Sequence, residues 1–338
     1  MKYISAIILS ILLFTFCGKS SADNNQVKNS DKVIVAYVTS WSSVMPDPSL
    51  VTHINYAFGH VNESFNGVRI DNENRLRRIC ELKQQAPSLK VLLSIGGWES
   101  GRFSEMAANE TFRKAFAADC QRVVSSFGLD GIDIDWEYPT SSSAGISSSP
   151  DDTKNYTLLM RDIRNAIGNS KFLTLASAAN ARYYDFAGID PYVNFINIMA
   201  YDMGSAPRHH SALFRSSNAG GSTSEEAVNA HINAGVPRNK LVLGMPFYGR
   251  CGGDLPNSLD YNRIILLEAY EKHWDDVAKV PYLTKNGVLV CGYDDPQSLG
   301  LKCQYILDQG LLGAMYWDYA GDNSARDLSR AVLNGLKE

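Results

Sequence analysis

The sequence predicts an α/β fold, a (β/α)8 barrel with a short insertion between its seventh and eighth strands. Three observations lead there. Eight short apolar runs are spread along the chain, most gaps between them carry a helical pattern, and the runs are continuously apolar rather than alternating. Continuous apolar strands alternating with helices describe a parallel sheet buried on both faces. Eight repeats in one chain favour closure into a barrel over an open doubly wound sheet. No G-x-G-x-x-G follows the first run and no P-loop is present, which argues against a nucleotide-binding sheet.

The runs are Lys32–Trp41, His53–Val61, Lys90–Gly97, Gly128–Glu137, Phe172–Ala179, Phe195–Asp202, Leu241–Arg250 and Gly313–Tyr319. Between them, Glu73–Gln85 places Leu76, Ile79 and Cys80 at helical spacing. Asn109–Phe127 does the same with Phe112, Ala115, Phe116 and Val123, and Asp151–Ile167 with Tyr156, Leu159, Met160 and Ile163. Thr223-Ser224-Glu225-Glu226 reads as a capping box opening a helix to about Ala234. Ser298–Gln309 reads as a helix stopped by Gly310. The stretch from about 251 to 292 is longer than an ordinary strand–helix connection and carries Tyr261, Tyr270, Trp274 and Tyr282. It is expected to be an insertion in the barrel that fills 32–338, not a domain of its own.

The N-terminus reads as an export signal. Lys2 is followed by an apolar run from Ile4 to Phe16 and then by small and polar residues. At roughly 20 residues for a bilayer crossing, the run is short for a membrane span. Cleavage after Ala22 and acylation of Cys17 both fit. Residues 1–22 are therefore the signal, 23–31 a flexible leader, and the product is secreted, periplasmic or an outer-surface lipoprotein with a membrane tether through Cys17. The chain carries 32 basic and 36 acidic residues, a formal net charge of −4, so no nucleic-acid partner is expected. Six cysteines occur without a C-x-x-C pair, which excludes a zinc ribbon. The pairing among Cys80, Cys120, Cys251, Cys291 and Cys303 stays open. His209-His210 lacks acidic or cysteine partners in sequence, so no metal and no cofactor is expected, and the chain is expected to be a monomer.

The chemistry lies in DGIDIDWEYP, Asp130–Pro139. Residues i, i+2 and i+4 of a strand share a face. Asp133, Asp135 and Glu137 therefore point one way, and Ile132, Ile134 and Trp136 point toward the helices. Two strand residues advance roughly 7 Å, so the acids form a row along the barrel interior. Glu137 falls at the C-terminal end, where barrel enzymes gather their catalytic groups. Three acids in one confined interior cannot all ionise, so at least one is held protonated, as a general acid requires. The bland alternatives are a salt-bridge cluster, which lacks a Lys or Arg on this strand, and a calcium site, which lacks the loop spacing.

DGIDIDWEYP resembles the signature of family 18 of the glycoside hydrolases, the chitinase family. Companion motifs extend the resemblance over nearly all of the chain after the signal: LSIGG (Leu93–Gly97), MAYD (Met199–Asp202), GVPRNKLVLGMPFYGR (Gly235–Arg250) and YDDPQSLGLKCQYILDQGLLGAMYW (Tyr293–Trp317). The resemblance, closest to exported bacterial chitinases, implies hydrolysis of β-1,4 bonds in chitin or GlcNAc-containing oligosaccharides. It also implies substrate assistance, an exception to the two-carboxylate scheme: the substrate's own 2-acetamido carbonyl attacks the anomeric carbon and gives an oxazolinium intermediate. It implies Glu137 as acid and base and Asp135 as the group that orients the acetamide. Asp133 would share a proton with Asp135, and Tyr201 would hydrogen-bond the acetamido oxygen. Asp202 would position the distorted sugar over an apolar floor at Trp317. Tyr37, Phe58, Gly97, Trp98, Tyr138, Met199, Tyr248 and Arg250 match cleft positions. The insertion is shorter than in many members, which implies a lower cleft wall. An endo-β-N-acetylglucosaminidase acting on N-glycans and a non-catalytic chitin-binding lectin are the alternatives. Trp136 argues against the first and the intact acids against the second.

Overall fold

The computed structural model describes residues 32–337. The predicted signal, Cys17 and the leader lie outside them. Eight parallel strands close into a barrel: β1 (Val33–Thr39), β2 (His53–Val61), β4 (Lys90–Gly96), β5 (Gly131–Asp135), β6 (Phe172–Ala178), β7 (Phe195–Met199), β8 (Leu241–Pro246) and β14 (Gly313–Trp317). Their order is β1-β14-β8-β7-β6-β5-β4-β2, and β1 pairs back onto β2 to seal the ring. A short β3 (Val68–Ile70) pairs antiparallel with the end of β2. All eight strands fall within the predicted runs.

Strand alternation divides the core in two. Ile34, Ala36 and Val38 of β1 join the large cluster under the helices, while Val35 and Tyr37 join Ala176, Phe195, Val242 and Met315 inside the barrel. The helices are α1 (Glu73–Glu81), α2 (Phe103–Ala108), α3 (Glu110–Phe127), α4 (Asp152–Ile167), α5 (Phe186–Ile189), α6 (Ser224–Asn233), α7 (Tyr261–Ile264), α8 (Pro296–Asp308) and α9 (Asp327–Gly335). Their starts follow from capping chemistry. Asn109 accepts the Thr111 and Phe112 amides at α3. Asp295 and Ser298 cap α8 reciprocally, with Pro296 at the first position, so α8 begins two residues before the Ser298 expected. At α6 only half of the predicted box forms. Thr223 accepts the Glu226 amide, but the Glu226 carboxylate pairs with Arg215.

The run Leu241–Arg250 is not one strand. β8 ends at Pro246, and β9 (Tyr248–Cys251) belongs to a separate antiparallel sheet with β10 (Ser258–Asp260), β11 (Glu271–Asp275), β12 (Val280–Lys285) and β13 (Val288–Gly292). Its order is β10-β9-β13-β12-β11. A disulfide joins Cys251 to Cys291, directly opposite each other on β9 and β13. Cys80, Cys120 and Cys303 are free thiols, the last two buried. Among the described residues, no helix is long and apolar enough to cross a membrane.

Candidate active site

Every residue of β5 is buried. Outside the barrel, Trp136 is 1% exposed and stacks on Phe103 of α2 at 5.3 Å, with Tyr156 of α4 at 5.9 Å. Inside it, Asp133 accepts hydrogen bonds from four strands. Tyr37 Oη and Ser94 Oγ reach Oδ2, each at 2.8 Å. Thr174 Oγ1 reaches Oδ1 at 2.5 Å and Asn197 Nδ2 reaches it at 3.3 Å. Burial raises the Asp133 pKa against these four donors, which favour its anion. Asp135 is 4% exposed, and its Oδ1 is buried without a hydrogen-bond partner. Burial, then the Glu137 and Asp133 charges, push its pKa well above the carboxylate range. Asp133, which accepts four donors, and Asp135, which accepts none on Oδ1, thus stand in opposite environments.

Glu137 lies two residues past the end of β5, at a cis peptide bond to Tyr138. Burial raises its carboxyl to about 7, with the Tyr138 hydroxyl opposing and the Asp202 charge adding to the rise. It is thus substantially protonated near neutral pH, at the C-terminal mouth of the barrel.

The glycines of LSIGG have a steric cause. A Cβ on Gly96 would meet the Asp135 carbonyl at 1.9 Å, and one on Gly97 the Phe58 ring at 2.7 Å. Both have positive φ, 132° and 92°. Gly97 thus permits the close approach of Phe58 and contributes no side chain to the cleft.

Asp202 follows β7 with φ 56°, a left-handed conformation unusual for a residue with a side chain. Tyr248 Oη donates to its Oδ1 at 2.8 Å. Arg250 forks onto it through Nε at 2.6 Å and Nη2 at 2.5 Å. Burial pushes Asp202 up, but the Arg250 hydrogen bonds and His210 outweigh it and hold the carboxyl well below the usual range. Tyr248 and Arg250 come from β9, so the small sheet, not the barrel, supplies them.

These groups open into one cleft of about 970 Å³. Glu137, Asp135, Tyr201, Asp202, Met199 and Trp98 line it, as do Tyr37, Phe58, Tyr138, Tyr248, Arg250 and Trp317. Asp133 lies beneath it. Trp317 stacks on Phe58 at 5.6 Å and approaches Tyr37 at 5.7 Å. Tyr138 stacks on Tyr183 at 5.0 Å. Trp98 is 55% exposed and Trp41 66%, two large apolar faces open to solvent. Sequence reasoning missed Trp41, Met203, Asp260 and Asp318 in the lining. Two signals were available: Trp41 ends the first apolar run, and Asp318 directly follows Trp317.

His209 and His210 need correction. They do have acidic partners, which folding brings from elsewhere: Asp275 at 3.1 Å for His209 and Asp202 at 3.5 Å for His210. Among the described residues, no group of three or more His, Cys, Asp or Glu is placed to hold a metal.

A closed barrel with coupled carboxyls at its C-terminal mouth and aromatic faces around them is the architecture of a glycoside-cleaving enzyme. The chain belongs to family 18 of the glycosyl hydrolases, whose model matches residues 33–322. It is 30% identical to chitinase A1 of Niallia circulans over 98% of its own length and 61% of that protein's. It is 30% identical to chitotriosidase-1 of Mus musculus over 84% of its own length and 72% of that protein's. Among solved structures, a family 18 N-acetylglucosaminidase from Paenibacillus barengoltzii superposes with TM-score 0.83 at 34% identity, over 90% of this chain and 99% of that one. A class V chitinase from Nicotiana tobaccum, a mutant in complex with NAG4, gives TM-score 0.80 at 28% identity, over 91% of this chain and 99% of that one.

Proposed function

We propose that the protein hydrolyses β-1,4 bonds of chitin or chitooligosaccharides with retention of configuration. The observation that carries the reading is the carboxyl row: Asp133 held by four donors, Asp135 buried with Oδ1 unpartnered and its carboxyl pushed up, and Glu137 raised to about 7 at the cleft mouth. Glu137 protonates the glycosidic oxygen and later takes a proton from water. Asp135 orients the substrate's acetamido group, and as the oxazolinium cation forms its proton passes to Asp133, leaving a carboxylate beside the cation. Tyr201 donates to the acetamido oxygen, and Asp202, fixed by Arg250 and Tyr248, holds the distorted sugar. Asp202 is already engaged by two side chains from β9, so it is poorly placed to serve as a covalent nucleophile. The family resemblance assigns that role to the substrate's own acetamide. Trp317 with Phe58 forms the floor, where an aromatic face meets the apolar face of a pyranose.

The N-acetylglucosaminidase likeness supports a second reading, in which single sugars are released from a chain end. Incubating the wild type and Glu137→Gln with chitotetraose and a high-mannose glycopeptide separates these readings. The reading expects cleavage of chitotetraose by the wild type alone, with disaccharide or monosaccharide products separating the two modes. Cleavage of the glycopeptide only would select an endo-glycosidase, and cleavage of neither would leave a lectin. The N-terminal segment adds export, with Cys17 as a lipid anchor or Ala22 as the last residue removed. Mass spectrometry of the mature N-terminus decides between them.

A further inference from the structure

Three consecutive residues on the connection between β7 and α6 are buried to 1% exposure or less, and each meets a different carboxylate. His209 Nε2 lies 3.1 Å from Asp275 at the end of β11. His210 Nδ1 lies 3.4 Å from the Asp202 amide, which donates to it, and 3.5 Å from Asp202 Oδ1. Ser211 Oγ donates to Asp294 at 2.6 Å, and Asp294 is itself paired at 2.7 Å with Lys302 of α8, which is fully buried.

We infer that His209-His210-Ser211 is a three-point clamp through which the small sheet fixes Asp202, with His210 as the positioning residue. The inference rests on the proposed role of Asp202 in the reaction. Asp202 has a left-handed backbone, which persists only when its surroundings over-determine it. Its side chain is gripped by Tyr248 and Arg250 of the small sheet and its amide by His210 of the loop. The clamp makes those two supports one body. His209 ties the loop to β11, and its ring also meets Tyr282 of β12 edge-on at 5.4 Å. Ser211 ties it to the segment leading from the sheet into α8. The His210 ring lies 5.3 Å from Tyr248, so the residues on either side of Asp202 also pack on each other. Three buried core side chains pack the fold wherever they stand, although His209 Nδ1 and His210 Nε2 find no partner. Here His210 reaches the Asp202 carboxylate that the small sheet grips, and His209 and Ser211 tie the same loop to that sheet and the segment leaving it.

The test measures chitotetraose turnover by His210→Gln and His209→Gln, each alone and combined with Asp202→Asn. His210→Gln is expected to lower kcat about tenfold with KM within about twofold, because the position of a group acting in the transition state is disturbed. His209→Gln touches nothing in the cleft and is expected to lower kcat by about threefold. In the Asp202→Asn background neither substitution should lower kcat further, since residues acting through one another are not additive. An unchanged kcat in both single variants, or the same loss with and without Asp202, overturns the clamp. If His210→Gln does not fold, His210→Asn and His209→Gln carry the same comparison. A crystal structure of a folded His210 or His209 variant gives a readout independent of turnover: Asp202 displaced from the Tyr248 hydroxyl supports the clamp, and Asp202 unmoved overturns it. Failure of the wild type to cleave chitotetraose would sink the proposed function and leave this structural comparison to decide the clamp.

Discussion

Glu137 carries the reaction in this account, and its environment sets both rate and stability. Glu137→Gln keeps the shape and removes the proton, so kcat should fall by about 10²–10⁴, measured on chitotetraose. The acid works only when protonated and its carboxyl is raised to about 7, so kcat/KM of the wild type should fall as pH rises through about 7. The same shift costs stability. A carboxyl raised in the folded state contributes most below its unfolded value near 4.5, and that contribution is lost as pH climbs through about 7. Glu137→Gln should therefore melt higher than the wild type at pH 8, by about 2–4 °C, and show little difference at pH 4. An equal difference at both pH values would contradict the burial argument. That the three acids share one face was legible in the sequence as period-2 spacing, whereas their separate roles were only implied by the family resemblance. The four donors that saturate Asp133 were not, because Tyr37, Ser94, Thr174 and Asn197 come from four other strands.

At the scale of elements, the alternate face of β5 anchors the barrel to its helices. Trp136 fills the space between Phe103 of α2 and Tyr156 of α4, so Trp136→Ala should cost about 3–5 kcal/mol in urea unfolding. A cost under about 1 kcal/mol would show that α2 repacks. The Cys251–Cys291 bridge spans 40 residues of sequence. Replacing both cysteines by serine should lower stability by about 2–4 kcal/mol in the same assay. The barrel strands were readable because strands buried on both faces are continuous apolar runs. The small sheet was not: β11 reads Glu-Lys-His-Trp-Asp and is largely exposed, so no apolar period marks it. The break at Phe247, which gives Tyr248 and Arg250 to that sheet, has no local signal either. Pro246 fits a strand end and an edge position equally well.

At the scale of the molecule, a rigid barrel presents one carboxyl row, and a small sheet with its clamped loop closes the cleft from one side. The division explains why the sequence motifs reached most residues of the barrel mouth and only part of the wall. Most motif residues are set by barrel strand register, whereas Trp41 and Asp318 enter the cleft through connections and Asp260 through the small sheet, whose course depends on the whole fold. In the proposed reading, the cleft supplies an acid and aromatic floors, and the substrate's acetamido group is the nucleophile. The most direct test compares initial rates on chitotetraose and on its fully deacetylated counterpart at equal concentration, with chain lengths read by mass spectrometry. Substrate assistance predicts cleavage of chitotetraose and at least about a thousandfold slower cleavage of the glucosamine tetramer, which cannot form the oxazolinium. Comparable rates on the two would contradict the account.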